Sequence, residues 1–253
     1  MRCWFSVFFM SESLVEFKNY VSKSKSFIEL KDNCKTKDKD IYLTSFCIAI
    51  NDKTNKATSL LESCKKDSLL NCFLQSLQYQ LPIDNRKFCY LIPYGDKCSL
   101  SLSVYGLMEL AKRNEEVLDI GCFIVDESEL ENLKIIRTEN GDRYEFTQTF
   151  NKEKKGLGVV VAWIKTINGV RIETYSKEYI EKAKKVAKTK NVWDTWYNEM
   201  AKKTALRNLL KMYAFVNVSD ALAKEDEQNN EEIKEEIKEA KAVNDEYADD
   251  DIE

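Results

Sequence analysis

The stretch NVWDTWYNEMAKKTALRNLLK, Asn191 to Lys211, sets Trp193, Trp196 and Tyr197 directly upstream of Lys202, Lys203, Arg207 and Lys211. It holds no histidine, serine or cysteine that could serve as nucleophile or base. Read as one helix from Val192 to Tyr213, its residues succeed one another at ~100° intervals. Trp193, Trp196, Met200, Lys203, Arg207 and Lys211 then share about one third of the circumference, with Leu206, Leu209, Leu210 and Tyr213 roughly opposite as a core stripe. Cations at i, i+4 and i+8 suit a row of phosphates. Flat aromatic surface suits unpaired bases, whose stacking is worth about 1–3 kcal/mol each. Each phosphate contact adds salt-sensitive affinity that is indifferent to base sequence. On this reading binding is the work, and no nucleophile is needed. The competing reading makes the tryptophans and Met200 core residues and the cations ordinary solvated charge. The helix alone does not separate the two. The preceding SKEYIEKAKKVAKTK adds Lys177, Lys182, Lys184, Lys185, Lys188 and Lys190 against Glu178 and Glu181. Two consecutive basic helices favour binding.

Other chemistries find little footing. The chain contains no histidine, which excludes Ser-His and Cys-His nucleophilic catalysis and mixed zinc sites within it. The eight cysteines, Cys3, Cys34, Cys47, Cys64, Cys72, Cys89, Cys98 and Cys122, form no CxxC pair. Several stand in apolar runs such as SFCIAI and NCFL, where a thiol acts as a small hydrophobe. A reduced, intracellular protein without a cysteine-based metal site is expected. KKGLGVV lacks the third glycine of a dinucleotide fingerprint, and no GxxxxGK[ST] is present for nucleotide hydrolysis. DESELE reads as a solvated loop or helix start rather than a metal-dependent nuclease site. No window reaches the ~18 consecutive apolar residues of a membrane span. MRCWFSVFF is too short for a signal sequence. Since Met10 begins an ordinary-looking SESLVEF, residues 1–9 read as an extension from an upstream start.

The formal net charge of −4 conceals two unlike regions. Lys224 to Glu253 carries 14 acidic residues and 4 lysines, a net of −10, which leaves +6 on the preceding 223 residues. A basic body with an acidic tail points to a polyanionic partner and a tail that modulates it, or else a tail that simply aids solubility.

Residues 11–31 read as one or two short helices, KDNCKTKDKD as a charged loop, and IYLTSFCIAIND as a compact apolar segment. DSLLNCFLQSLQYQL places Leu70, Phe73, Leu74 and Leu77 at helical spacing with Asp67 as N-cap, and Pro82 ends it. FCYLIPY and SLSLSV around GDKC give a hairpin, the second strand alternating Ser99, Ser101 and Ser103 against Leu100, Leu102 and Val104. YGLMELAKR follows as a helix ending on Lys112 and Arg113. IGCFIV, YEFTQTF, GVVVAWIKT and VRIETYS are further strands, punctuated by the Asn-Gly turns of ENGDR and INGV. A helix from the Ser176 cap region precedes the Val192–Tyr213 helix. Beyond Asp220 the composition predicts disorder or transient helix. The fold class is therefore α+β, an antiparallel sheet core with flanking helices and a disordered acidic C-terminal tail. Residues 1–30 form an extension and helix, 31–220 the core, and 221–253 the tail.

Three segments, in order, resemble the RecT family of phage single-strand DNA annealing proteins. CYLIPYGDKCSLSLSVYGLMELAKR is similar to the family's hairpin and following helix. LGVVVAWIKTINGVRIETYSKEYIEKAKKVAK is similar to its strand pair and basic helix, and VWDTWYNEMAKKTALRNLLK to its closing signature. DSLLNCFLQSLQYQLPIDNRKFCYLIPY fits the segment before the hairpin, so the resemblance spans roughly residues 40–215. Departures are AKRNEE where the family has Arg-Ser-Gly, valine rather than proline before Trp193, and KMYAFV where Leu-Pro is common. The resemblance implies an ATP-independent recombinase, not an enzyme, that binds single-stranded DNA, anneals complements into duplex, and assembles into a ring or helical filament. It implies a cytoplasmic setting in a bacterial host. It also implies work with a phage 5′→3′ exonuclease, with a host single-strand binding protein as a further partner, and no ATP or other cofactor, a dependence on Mg2+ being open. Carried over by position, Lys202, Lys203, Arg207 and Lys211 contact phosphates. Lys87 and Lys97 beside the first hairpin strand, Lys112 and Arg113, and Lys188 join them, while Trp193 and Trp196 stack on bases or anchor the helix. The alternative function is single-strand protection without annealing.

Overall fold

The computed structural model describes residues 12–33, 39–53, 58–149, 153–187 and 190–213. The expected acidic tail lies outside them, as do residues 1–9. The chain divides into two compact units, one up to Gly106 and one from Leu107.

The first unit contains α1 (Glu12–Lys23), α2 (Lys25–Asn33), α3 (Lys39–Asn51), α4 (Leu60–Ser63) and α5 (Lys66–Tyr79), then the antiparallel hairpin of β1 (Cys89–Tyr94) and β2 (Lys97–Leu102). Its core is a row of rings from four helices: Phe17 stacks on Phe46 at 6.1 Å, Phe46 meets Phe73 edge-on at 5.3 Å, and Phe27 tilts against Phe73 at 5.8 Å. Each ring so buried is worth roughly 1.5–3 kcal/mol. IYLTSFCIAIN is thus helical, burying Phe46, Cys47 and Ile50 at i, i+1 and i+4. The α5 helix starts two residues earlier than expected, with Lys65 rather than Asp67 as N-cap and no side-chain bond from it. Asp67 lies inside the first turn, where it suits the helix dipole, and its carboxylate accepts the Tyr20 hydroxyl.

The hairpin lies on α5 through buried Cys98, Leu100 and Leu102, while Ser99 and Ser101 are half-buried on its other face. The Cys72 thiol donates to the Cys98 carbonyl at 3.1 Å and the Ser68 hydroxyl accepts the Cys98 N–H at 3.1 Å, fixing register between helix and strand. Contact with Cys98 and burial together push the Cys72 thiol pKa far up. The alternation ends one pair early. Ser103 accepts the Gly106 N–H at 3.0 Å and so caps α6 (Val104–Lys112), which Val104 begins. Gly106 is required there, because a Cβ would meet the Phe88 carbonyl oxygen at 2.3 Å.

The boundary between the units falls within α6. In the second unit β3 (Val117–Asp126), β6 (Leu157–Thr166) and β7 (Gly169–Ser176) form an antiparallel sheet in the order β3-β6-β7. A two-stranded ribbon of β4 (Leu133–Ile136) and β5 (Arg143–Phe146) is joined to β3 by a 3-10 turn, Glu127–Asn132. The strand β4 was not expected from the sequence. α7 (Lys177–Val186), α8 (Lys190–Thr195) and α9 (Tyr197–Met212) follow. One sheet face, with Val160, Ala162 and Ile164 fully buried, takes α9. The opposite face buries Val125, Val161 and Ile172 beneath Leu133, Ile135 and Phe146 of the ribbon. β6 is covered on both sides, which is why GVVVAWI reads as a nearly unbroken apolar run. The architecture is a mixed α+β one with antiparallel sheets and helices.

Candidate nucleic-acid interface

The expected Val192–Tyr213 helix is two helices. Trp196 adopts φ −125°, ψ 42°, outside the helical region, and serves as N-cap of α9 without a side-chain bond. Hydrogen bonding still passes through the bend: Trp196 N–H donates to the Val192 carbonyl at 2.8 Å, and Met200 N–H donates to the Trp196 carbonyl at 2.9 Å. The bend sends the two tryptophans to different environments. Trp193, on α8, is 2 % exposed and meets Tyr197 edge-on at 6.1 Å, whereas Trp196 is 62 % exposed. Trp193 is thus packed inside the second unit. Trp196 keeps an aromatic surface in solvent.

Along α9 the buried residues are Ala201, Ala205, Leu206, Leu209 and Leu210. Lys203 and Lys211 are exposed and Arg207 is half-buried. At ~100° per residue these three cations, with Met200, occupy the arc opposite the centre of the buried one. They recur at about 6 Å along the axis. Lys202 stands apart. It donates to Glu199 at 2.9 Å and lies within electrostatic reach of Cys122 on β3, so it flanks the sheet rather than the ridge. Burial pushes the Cys122 thiol up to about 11, with Lys202 pulling the other way.

α7 is clamped to this region by its own charges. Ser176 caps it by accepting the Tyr179 N–H, as the sequence led us to expect. Lys184 binds Asp194 at 2.8 Å and sits 5.6 Å from the Tyr197 ring centre, and the Asp194 carboxylate holds the Lys184 pKa up. Lys182 and Lys185 are exposed. Lys188 lies outside the described residues. Lys112 pairs with Asp119 at 3.5 Å and Arg113 with Glu109 at 3.7 Å, so each brings a compensating carboxylate to any anion.

In the first unit, Lys87 and Lys97 are exposed at either end of the hairpin. Lys87 takes φ +57°, a left-handed conformation uncommon for a non-glycine residue. A turn closed by Lys87 N–H on the Asp84 carbonyl at 3.0 Å imposes it. Lys97 stands opposite Tyr94 in the ladder.

One group of charge that the sequence reading did not single out lies in the second unit. Arg137 and Arg171 converge on Asp142, whose side chain is 4 % exposed. In DESELE, Asp126 is the cap of the 3-10 turn, accepting N–H bonds from Ser128, Lys155 and Gly156. These donors hold its carboxyl well below the usual carboxylate range. Glu127 pairs with Lys177 at 3.3 Å, and Glu129 is buried against Thr149. Asp126 and Glu129 thus hold the turn and the Thr149 backbone in place.

Among described residues, no helix is long and apolar enough to cross a membrane. The chain is similar to known proteins over much of its length. The chain is 28% identical over 173 residues to the uncharacterized protein YqaK of Bacillus subtilis strain 168, covering 66% of this chain and 59% of that protein. It is 26% identical over 169 residues to Protein RecT of Escherichia coli K12, covering 60% of this chain and 59% of that one. The chain thus spans 59% of the length of each of these curated relatives. The RecT family model matches residues 44–242, which takes in the hairpin, the sheet and the basic helices, and the chain belongs to the RecT family.

Proposed function

We propose that this protein binds single-stranded DNA and anneals complementary strands in homologous recombination, without nucleotide and without cleaving DNA. The observation that carries the reading is the row Lys203, Arg207 and Lys211 on the outer arc of α9, continued past the bend by exposed Trp196. A cation every ~6 Å meets roughly every second phosphate of a B-like strand, which advances ~3.4 Å per nucleotide. Contacts of this kind hold the backbone and leave base edges available to a complement. Lys87, Lys97, Lys112, Arg113 and Lys188 supply further backbone contacts. Lys202 contributes by proximity rather than as part of the row. Copies of the chain multiply these weak contacts along a strand. The single strand comes from a 5′→3′ exonuclease in the cytoplasm of a bacterial host. RecT family membership supports the same reading.

The test mixes fluorescent complementary strands with the protein and no nucleotide. Duplex formation with intact strands is expected. Lys203→Ala with Arg207→Ala removes two phosphate contacts, so the slope of log affinity against log salt shrinks by about 1.4 for single strands. Strand binding without accelerated pairing would reduce the function to strand protection. A double variant equal to wild type in both readouts would refute the site.

A further inference from the structure

The β4–β5 ribbon ends in a turn whose geometry is tightly determined. Gly141 takes φ +125° and Gly169, in the β6–β7 turn, takes φ +121°. The two turns touch backbone to backbone: a Cβ on Gly169 would meet the Asn140 carbonyl oxygen at 2.6 Å, and one on Gly141 the Val170 nitrogen at 2.9 Å. Asp142 N–H donates to the Val170 carbonyl at 2.7 Å, and Asp142 Oδ2 accepts the Ile172 N–H at 2.9 Å. Asp142 is therefore fixed to the edge strand β7 through both its backbone N–H and its carboxylate.

Two guanidinium groups meet this one carboxylate. Arg137 Nη1 donates to Oδ2 at 3.0 Å, and Arg171 Nη1 stands 4.0 Å from Oδ1. Neutralising a buried carboxylate takes one cation, and Arg137 with the Ile172 amide already does it. Arg171 is held near the carboxylate without being consumed by it. Both arginines remain substantially exposed, at 57% and 44% of their side-chain surface. The trio carries one surplus positive charge, with most of its ten guanidinium N–H donors (five per arginine) still able to reach an anion. Glu173, two residues along the same strand face as Arg171, is the charge that opposes it. The pair sits beside the end of α9: the Tyr213 phenol, raised chiefly by burial, feels Glu173, Arg171, Asp142 and Arg137. Tyr213 is the C-cap of the helix that carries Lys211 in its last turn.

We propose that Arg137 and Arg171, mounted on Asp142, form a phosphate-binding fork that carries a single strand beyond the C-terminal end of the α9 ridge. The ligand is the phosphodiester backbone of single-stranded nucleic acid, and the inference rests on the strand-binding function proposed above. Planar guanidinium groups bind phosphate oxygens two donors at a time, which a lysine does not reproduce. Asp142 does not touch the strand. It is a positioning residue that keeps two like charges together.

The experiment measures affinity for a fluorescent oligonucleotide across a salt series, with thermal melting as the folding control. Arg171→Gln leaves Asp142 its Arg137 and Ile172 partners. It is expected to keep the melting midpoint within a few degrees, weaken binding several-fold and lower the salt slope by about 0.7. Arg171→Lys is expected to retain the slope but not the full affinity. Glu173→Gln removes the opposing charge without changing shape, and is expected to tighten binding. If wild type binds and both Arg171→Gln and Glu173→Gln bind with unchanged affinity and slope, the fork is refuted while the α9 ridge stands. Should Arg171→Gln fail to fold, Glu173→Gln decides alone: tighter binding supports the fork and unchanged binding overturns it. A wild type that binds no single strand overturns the function and the fork together.

Discussion

The Tyr197 hydroxyl donates to Glu181 at 2.6 Å, so the first residue of α9 is bonded to the middle of α7. The same ring lies under the Lys184 ammonium at 5.6 Å, and Lys184 is held in turn by Asp194. One aromatic side chain therefore sets the angle between two basic helices, whose like charges would otherwise push them apart. Tyr197→Phe keeps the ring and its cation contact and removes the hydrogen bond alone. A loss of about 1–2 kcal/mol is expected, since Glu181 loses a charge-assisted partner. Urea unfolding checks it, and an unchanged midpoint would show that the bond does no structural work.

The two tryptophans should part company under mutation. Trp193 is 2 % exposed, so Trp193→Ala is expected to cost about 3–5 kcal/mol of stability. Trp196, 62 % exposed, should alter stability by no more than about 0.5 kcal/mol when changed to alanine. Its loss should instead weaken strand binding by about 1–3 kcal/mol. Melting curves and oligonucleotide titrations on both variants give the comparison; equal stability losses would contradict the separation.

Gly121 on β3 lies beneath the Trp163 indole, and a Cβ there would meet the ring at 2.3 Å. Trp163 belongs to a group with Phe123 and Tyr144, at ring separations of 6.0 and 6.1 Å. Gly121→Ala is expected to displace the indole and cost about 1–3 kcal/mol. Tryptophan fluorescence should shift with it. A spectrum and stability identical to wild type would mean that the ring has free room.

Asp126 links pH to stability. Its folded pKa is depressed by backbone and Ser128 donors, so its contribution is complete above the ordinary aspartate value of about 3.9 and is lost as pH falls from there toward the folded value. Wild type should therefore exceed Asp126→Asn in stability at neutral pH, with the gap closing progressively as pH falls below about 4. Denaturant midpoints at stepped pH would reveal this. A gap that stays constant in acid would assign the loss to geometry instead of ionisation.

Periodicity made the α9 ridge legible, because Leu206, Leu209 and Leu210 could face inward only if Lys203, Arg207 and Lys211 faced out. The hairpin was legible from GDKC and from alternating serine and leucine. The bend at Trp196 was not, since WDTWYNEM contains neither glycine nor proline to mark it. It follows from packing: Trp193 is buried while its neighbours on the same face are not. LKII is hard to read as a strand because four residues carry little periodic signal, and Leu133 finds its partner thirteen residues away at Phe146. The arginine fork was equally hidden. ENGDR announces a turn, but nothing local tells that its aspartate is buried or that Arg171, twenty-nine positions on, would reach it.

The interlocking of the Gly141 and Gly169 turns bears on how such a protein can change over generations. Arg137 and Asp142 sit at one side of that joint and Arg171 at the other, whereas Lys203, Arg207 and Lys211 ride on α9. An insertion or deletion between Thr138 and Asn140 would shift Arg137 and Asp142 relative to Arg171 and leave the α9 row in place. On the proposed strand-binding function, selection could thus adjust one location without disturbing the rest, a modular dial instead of a single lock.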